Sequence, residues 1–145
     1  MLARGAEVTV AERHPDRRAQ AAALGARVTG RLGRHELVFE AVGRPETWRA
    51  AVEATAPGGV VVLVGGCPLG SDASLPAARL HYDELDVRGT FHHSTAEVDA
   101  ALRALADGVL DWQALAGDTI GLEQLPAALA AARGRSLKWV VDPRL

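Results

Sequence analysis

The sequence has one cysteine and no long apolar run, and each scarcity excludes a class of protein. Cys67 alone cannot form an internal disulfide or supply a multi-cysteine zinc site. No segment approaches the roughly 20 apolar residues that a membrane-spanning helix needs. The first ten residues include Arg4 and Glu7 and lack the apolar core of a signal peptide. We therefore expect a soluble, cytoplasmic protein without a membrane partner.

The sequence also lacks an excess of charge of either sign. It has 16 Lys and Arg against 18 Asp and Glu, a net charge of −2. The arginines are dispersed along the chain and do not form a basic stripe. This balance predicts no nucleic-acid partner and no binding to an anionic membrane. The length of 145 residues fits one domain.

Apolar, strand-like segments alternate with helical ones. Residues 37–43 and 60–66 are near-continuous apolar runs ending in glycine, which is typical of strands covered on both faces. Further strands are predicted at 7–12, 27–29, 85–91 and 137–143, and helices at 15–24, 44–59, 95–108 and 122–134, with a helical turn near 77–84 and a loop at 30–36. This alternation predicts a parallel α/β sheet, in which ligands bind at the carboxyl ends of the strands.

Four positions directly follow predicted strands and are therefore candidate ligand contacts. They are Glu12, Val42-Gly43, Gly65-Gly66 and Phe91-His92. In dinucleotide-binding folds, an acid after the second strand holds a ribose, and a glycine-rich phosphate loop lies roughly 20 residues before it. Only eleven residues precede Glu12, so we expect that loop to be absent.

Five segments give a stronger signal together than any one of them alone. They are GAEVTVAERHPDRRAQAAALGA, LVFEAVG, APGGVVVLVGG, VRGTFHHSTAEVDAALRALADG and GRSLKWVVDP. In this order and spacing the chain resembles the carboxyl-terminal part of the zinc-type medium-chain alcohol and polyol dehydrogenases. The resemblance implies a Rossmann-like doubly wound parallel sheet, incomplete because the first strand and glycine-rich loop are missing. Residues 1–145 would form a single partial dinucleotide-binding domain, and in the family the strand at 137–143 returns toward the catalytic domain.

The resemblance assigns Glu12 to both ribose hydroxyls of NAD. A carboxylate there repels a 2′-phosphate, so NAD is favoured over NADP. Arg13 and Arg17 keep NADP open as the weaker alternative, because a guanidinium pairs well with a phosphate. The other interpretation of Glu12 is a solvated charge at a strand end.

The resemblance also assigns the turns that follow the later strands to the cofactor. It places one turn beside the adenosine, a second facing the nicotinamide, and a strand end near the carboxamide. Glycine would allow close approach to the cofactor, although ordinary turn chemistry explains the same glycines. In chain order these residues are Ala41, Val42, Gly43, Gly65, Gly66, Phe91 and His92.

Three other residue types allow alternative interpretations. Lys138 resembles a basic residue that reaches the cofactor pyrophosphate in the family, but a lysine on a strand edge also discourages aggregation. His92 and His93 are adjacent on a strand and point to opposite faces, so they do not predict a metal site. A lone cysteine such as Cys67 is usually a small packed residue.

The resemblance further implies what the chain lacks. In the full-length family, zinc polarises the alcohol oxygen and is held by ligands of the amino-terminal catalytic domain. We expect neither those ligands nor any catalytic residue in this chain. The missing first strand is the central one of the sheet, so its two neighbours would have unpaired edges. The seven residues between 29 and 37 leave little room for a crossover, so the third strand should be rudimentary or absent.

Three functions are compatible with these features. The first is a partial NAD(P)-dependent alcohol or polyol dehydrogenase, an oxidoreductase that is inactive as this chain alone. The second is a non-catalytic assembly module of the same fold, a homodimer paired through the strand around 86–91. The third is a methyltransferase-like fragment, because an acid after the second strand also binds the ribose of S-adenosylmethionine.

Overall fold

Helices and parallel strands alternate along the chain, which confirms the predicted α/β fold class. The structure is a computed structural model that describes residues 2, 5–109, 116–131 and 138–145. In chain order the elements are β1 (Thr9–Ala11), α1 (Pro15–Ala23), β2 (Arg27–Thr29), β3 (His35–Glu40), α2 (Pro45–Glu53), β4 (Thr55–Leu63), α3 (Ala77–Tyr82), β5 (Asp86–Gly89), α4 (Thr95–Ala106), β6 (Ala116–Ile120), a 3-10 turn (Leu122–Gln124), α5 (Leu125–Ala131) and β7 (Lys138–Val141).

The chain forms two compact units. One combines Met1–Gly30 with Thr95–Leu145, and the other is Arg31–Ser94. The first unit contains the parallel pairs β1–β2 and β6–β7. The second contains a parallel sheet in the order β3-β4-β5. The strand predicted at 27–29, which corresponds to the third strand of the family's sheet, exists as β2. It has only three residues, so it is rudimentary as expected.

Strands β1 and β3 belong to separate sheets. In the described part of the chain, β1 pairs only with β2, and β3 pairs only with β4. The two strands that would flank a central strand therefore belong to different sheets. Each has an edge on which no described strand lies.

The core of the second unit lies between α2 and one face of the sheet. Alternate residues of a strand face opposite sides, so Val38 is buried while Leu37 and Phe39 are 41% and 48% exposed. The helix contributes Ala51 and Val52, because apolar residues fall on one side of its 3.6-residue period. The full set of buried apolar residues is Val38, Ala51, Val52, Ala54, Val61 and Leu63.

The segment 54–59 was predicted to end a helix and instead begins a strand. Helix α2 ends at Glu53, and β4 starts at Thr55. The strand is irregular here, because it advances from Thr55 to Val60 while β3 advances only from His35 to Leu37. Gly58 allows this bulge with φ +71°, and its N–H donates to the Asp83 carbonyl at 2.7 Å. The glycines that resemble a helix stop thus belong to a bulged strand.

Other boundaries differ by a few residues. Strand β3 begins at His35, inside the predicted loop 30–36, because His35 pairs with Thr55. Strand β6 was not predicted, since Gly117 and Asp118 are poor strand formers and the strand depends on pairing with β7. The described part of the helix predicted at 122–134 starts as a 3-10 turn. Residues 132–134 and 137 of the predicted elements lie outside the described part.

Arg79 in α3 fastens the carboxyl end of α2. Its side chain is only 18% exposed. Nη1 donates to the carbonyls of Val52 at 3.0 Å and Glu53 at 2.8 Å, and Nη2 donates to the Thr55 carbonyl at 2.6 Å. Nε binds Asp83 Oδ2 at 2.6 Å. Carbonyls at a helix end have no partner within the helix, so one guanidinium satisfies groups that would otherwise be unpaired.

We expect Arg79→Ala to lower the free energy of unfolding by about 3 kcal/mol, because it removes the guanidinium from three carbonyls and leaves Asp83 with the longer, 3.9 Å ion pair to the exposed Arg34. The matched control is Arg49→Ala, which breaks an exposed ion pair with Glu53 and should change stability by about 0.5 kcal/mol or less. Urea unfolding followed by circular dichroism measures both. Equal losses in the two variants would contradict this role.

Candidate functional site

The candidate cofactor residues are divided between the two compact units. Those after the early strand and near the carboxyl terminus belong to the first unit, and those after β3, β4 and β5 belong to the second. The first group is Glu12, Arg13, Arg17 and Lys138. The second group is Ala41, Val42, Gly43, Gly65, Gly66, Phe91 and His92. The structure brings together the turns after β3 and β4.

Glu12 follows β1 directly, as predicted, and its side chain is 22% exposed. Oε1 accepts a hydrogen bond from the backbone N–H of His14 at 2.8 Å. Oε2 lies 3.9 Å from Nη1 of Arg17, whose side chain is 46% exposed. The Arg13 side chain turns to His14, with Nε 3.2 Å from Nε2. The carboxylate is therefore held at the start of α1 by a backbone N–H group on one oxygen and by the nearby Arg17 guanidinium on the other.

The pKa of Glu12 lies below its ordinary value. Partial burial acts in the opposite direction, but the N–H groups of His14 and Arg13 and the positive charges of Arg17 and His14 outweigh it. The group is thus an anion at neutral pH. An anionic acceptor at the carboxyl end of a parallel strand suits the hydroxyls of a ribose.

The turn after β3 is built around the buried carboxylate of Glu40, which is 4% exposed. Oε1 accepts the backbone N–H groups of Val42 at 2.8 Å and Gly43 at 3.0 Å, and Oε2 lies 3.2 Å from the Gly43 nitrogen. Gly43 has φ +79°, a conformation that favours glycine. The Val42 side chain is 65% exposed at the tip of the turn.

The turn after β4 is held by the same residue. The Glu40 carbonyl accepts the N–H groups of Val64 at 2.8 Å and Gly65 at 2.9 Å. On the other side, the indole N–H of Trp48 in α2 donates to the Gly65 carbonyl at 2.9 Å. Sheet, turn and helix are thus connected at one point.

Gly43 and Gly65 are required by the packing of one turn against the other. A Cβ on Gly43 would overlap the Gly66 carbonyl oxygen, and a Cβ on Gly65 would overlap the Gly43 backbone nitrogen. The second would also lie 2.8 Å from Oε2 of Glu40. Gly66 differs, because a Cβ there meets nothing within 4 Å. Of the three glycines in these two turns, Gly66 alone has open space beside its backbone.

Glu40 was not among the residues selected from the sequence. It lies in the predicted strand 37–43, whose run LVFEAVG is otherwise apolar. A single acid within an apolar run is an available signal, since a buried carboxylate needs hydrogen-bond donors. The partners that satisfy it lie in the two following turns.

Beyond β5 the chain leaves the sheet at an exposed aromatic residue. The hydroxyl of Thr90 donates to the Leu63 carbonyl at 3.1 Å. Phe91 is 88% exposed, and His92 adopts φ +64° with its ring centroid 3.9 Å from that of Phe91. These residues follow strand β5, as predicted, but lie two to three positions past its end at Gly89.

The backbone of Lys138 pairs with Ala116 in the first unit, and its side chain lies outside the described part.

No metal site is evident in the described residues. Among residues 2, 5–109, 116–131 and 138–145, no three His, Cys, Asp or Glu side chains are grouped as metal ligands. The pKa of the Cys67 thiol is raised by burial and by the negative charges of Glu40 and Glu46. No helix in the same ranges is long and apolar enough to span a membrane.

Comparison with protein families gives a match to the family described as zinc-binding dehydrogenase, over residues 31–107. This is more than half of the chain. The chain belongs to the zinc-binding dehydrogenases. The matched region includes β3, β4, β5 and the two turns that Glu40 connects.

Solved structures of similar fold extend the comparison to nearly the whole chain. Alcohol dehydrogenase TADH from Thermus sp. ATN1 is 29% identical, with a TM-score of 0.78 over 94% of this chain and 44% of its own. A protein from Sinorhizobium meliloti 1021 classed as a zinc-binding dehydrogenase and bound to NADP is 21% identical, with a TM-score of 0.85 over 94% and 45%. An alcohol dehydrogenase from Escherichia coli CFT073 complexed with NADH is 17% identical, with a TM-score of 0.78 over 93% and 43%.

The chain thus spans less than half the length of these proteins. The last two are similar to it in fold alone, since their sequences are distant. The nicotinamide cofactors belong to those structures. The fold is the Rossmann-like one that the sequence predicts.

We expect Gly65→Ala to destabilise the protein by about 2 kcal/mol or more, because the added methyl group overlaps the Gly43 backbone. Its neighbour provides the control, since Gly66→Ala introduces a methyl group into open space and should change stability by about 0.5 kcal/mol or less. Thermal unfolding distinguishes the two. If both variants had the melting temperature of the wild type, the packing described above would be wrong.

Proposed function

We propose that this chain is the NAD(P)-binding part of an alcohol or polyol dehydrogenase, in which residues 1–145 act as one partial dinucleotide-binding domain. The observation that carries the proposal is the anionic Glu12 carboxylate at the carboxyl end of β1, with a side chain that is 22% exposed. Family membership and the parallel α/β fold support it. The strand predicted at 137–143 would return toward the remainder of such an enzyme. The site of action would be the cytoplasm.

NAD is the cofactor that Glu12 favours. Its negative charge would oppose a 2′-phosphate, whereas both of its oxygens can accept ribose hydroxyls. Arg17 is the main argument for NADP, because its guanidinium lies 3.9 Å from that carboxylate and is exposed. The bound NADP of the Sinorhizobium meliloti protein and the NADH of the Escherichia coli protein show that proteins of this fold bind both cofactors.

The other candidate residues are proposed as further contacts to the cofactor. Val42 and Gly66 present exposed surface at the carboxyl end of β3 and β4, so they suit a nucleoside or the nicotinamide ring. Phe91 and His92 would extend that surface, and Lys138 would pair with the diphosphate. The remaining proposed contacts are Arg13, Ala41, Gly43 and Gly65. A bound nicotinamide would accept or donate the hydride, and these residues would only bind and orient it.

The described residues do not fit a catalytic zinc. No three ligating side chains are grouped among them, and zinc sites in enzymes need three protein ligands. We therefore propose that the chain alone does not turn over an alcohol.

Calorimetric titration with NADH tests the proposal. We expect weak but measurable binding, no binding of S-adenosylmethionine, and an affinity for NADH about tenfold lower in Glu12→Gln, since a hydrogen bond to a charged group is worth about 1.5 kcal/mol. The control is Glu7→Gln, which neutralises an exposed acid before the same strand. Absence of NADH binding, or binding of S-adenosylmethionine instead, would refute the assignment. Production of NADH from NAD and a panel of alcohols with zinc present would refute the proposed inactivity.

A second function, a non-catalytic assembly module, is favoured by the position of β5. This strand lies at an edge of the β3-β4-β5 sheet, and no described strand pairs with its outer edge, where a strand of a second copy would fit. The segment 86–91 would then pair with itself across a two-fold axis.

Light scattering over a range of concentrations measures this assembly. We expect a homodimer, and we expect Val87→Pro to shift it toward monomer, because proline weakens a strand edge. The control for loss of fold is the circular dichroism spectrum of the variant. A wild type that is monomeric at every concentration would exclude the assembly function and leave the cofactor proposal unaffected.

A further inference from the structure

We propose that Glu40 is a specificity-determining residue, which makes the carboxyl edge of the β3-β4-β5 sheet accept the uncharged parts of a nucleotide and exclude its phosphates. The inference rests on the proposed function, because it concerns the same cofactor. It adds a residue outside the predicted site. It also assigns the uncharged parts of the ligand to this edge and the phosphates to other residues.

The first step is that one residue occupies the hydrogen-bond donors of both turns. Four backbone N–H groups point to Glu40, those of Val42 and Gly43 to its carboxylate and those of Val64 and Gly65 to its carbonyl. Successive N–H groups in a turn normally form a concave site for a phosphate or another anion. Here the carboxylate of the protein itself is that anion. Its 4% exposure leaves no space for a second one.

The second step concerns charge. A phosphate that approached this edge would find the N–H groups of Val42 and Gly43 already bound to Glu40. The negative charge of the Glu40 carboxylate would repel it. Glu46 adds a negative charge in the first turn of α2. This charge balances the exposed guanidinium of Arg44, whose Nη1 lies 3.9 Å from Glu46 Oε1. The thiol of Cys67 reports the same field, since both carboxylates raise its pKa in addition to burial.

The third step is what the edge still offers to a ligand. Val42 presents an apolar side chain that is 65% exposed, and Gly66 has no atom within 4 Å of the position of a Cβ. An apolar side chain and an open backbone suit the flat faces of a base, a ribose or a nicotinamide ring. The diphosphate must therefore be bound by other residues.

Amide NMR with inorganic pyrophosphate and NADH as separate probes tests the inference. In the wild type, NADH should shift the signals of Val42 and Gly66, whereas pyrophosphate should leave those of Val42 and Gly43 unchanged. In Glu40→Ala, pyrophosphate should shift the freed Val42 and Gly43 amides. The affinity for NADH should fall about tenfold, because the turn loses the charged group that holds it.

Two controls separate this role from general stability. Glu36→Ala removes an exposed acid from the same strand and should respond to both probes like the wild type. Thr55→Val removes a buried hydrogen bond to Ala51 at the opposite end of β4, so it lowers stability without touching the turns. Its response to both probes should also be that of the wild type. Glu40→Met, which keeps the length of the side chain and removes its oxygen acceptors, replaces Glu40→Ala if the latter does not fold.

The inference is wrong if pyrophosphate moves the Val42 and Gly43 signals of the wild type as strongly as those of the Glu40 variants, or if the variants gain no response to it. An NADH titration that shifts nothing in the wild type refutes the proposed function. The pyrophosphate comparison still decides the role of Glu40 in that case.

Discussion

The second unit depends on the satisfaction of one buried carboxylate. Glu40 lies in an apolar strand next to a core of valine and leucine, where an unpaired charge would be strongly destabilising. Its carboxylate oxygens accept the N–H groups of Val42 and Gly43 where the chain turns sharply, and its backbone carbonyl accepts those of Val64 and Gly65 after the next strand ends. The two turns then interlock so closely that neither has room for a side chain at Gly43 or Gly65. The local structure of both turns follows from this constraint.

The sequence predicted the parts of the fold that depend on local pattern. Apolar runs identified β3 and β4, and helix-forming residues between proline and glycine identified α1. It did not reveal features that depend on distant partners. Strand β6 exists because β7 pairs with it, and the first half of β4 is a bulged strand because His35 pairs with Thr55. Propensity is a weak guide where pairing decides.

The candidate site shows the same division. Glu12 was found because an acid after a strand is a local signal, and its turn contacts are local as well. Glu40 was missed because its role arises from N–H groups in two turns, one of them more than twenty residues further along the chain. The glycines were identified as turn residues, but only the structure distinguishes Gly65, which has no room for a methyl group, from Gly66, which has. The cofactor roles of these residues stay predictions.

The division of the chain into two units has a consequence for the order of folding during synthesis. The Arg31–Ser94 unit is one continuous segment, so all of its strands and helices are available before the last third of the protein leaves the ribosome. The other unit joins the first thirty residues to the last fifty, and β6 needs β7 as its partner. Within that unit, β1 and β2 can pair as soon as both have been synthesised, whereas β6 cannot pair with β7 until β7 has followed it. Slow translation between β6 and β7 would therefore leave β6 without this partner for longer and would not affect the Arg31–Ser94 unit.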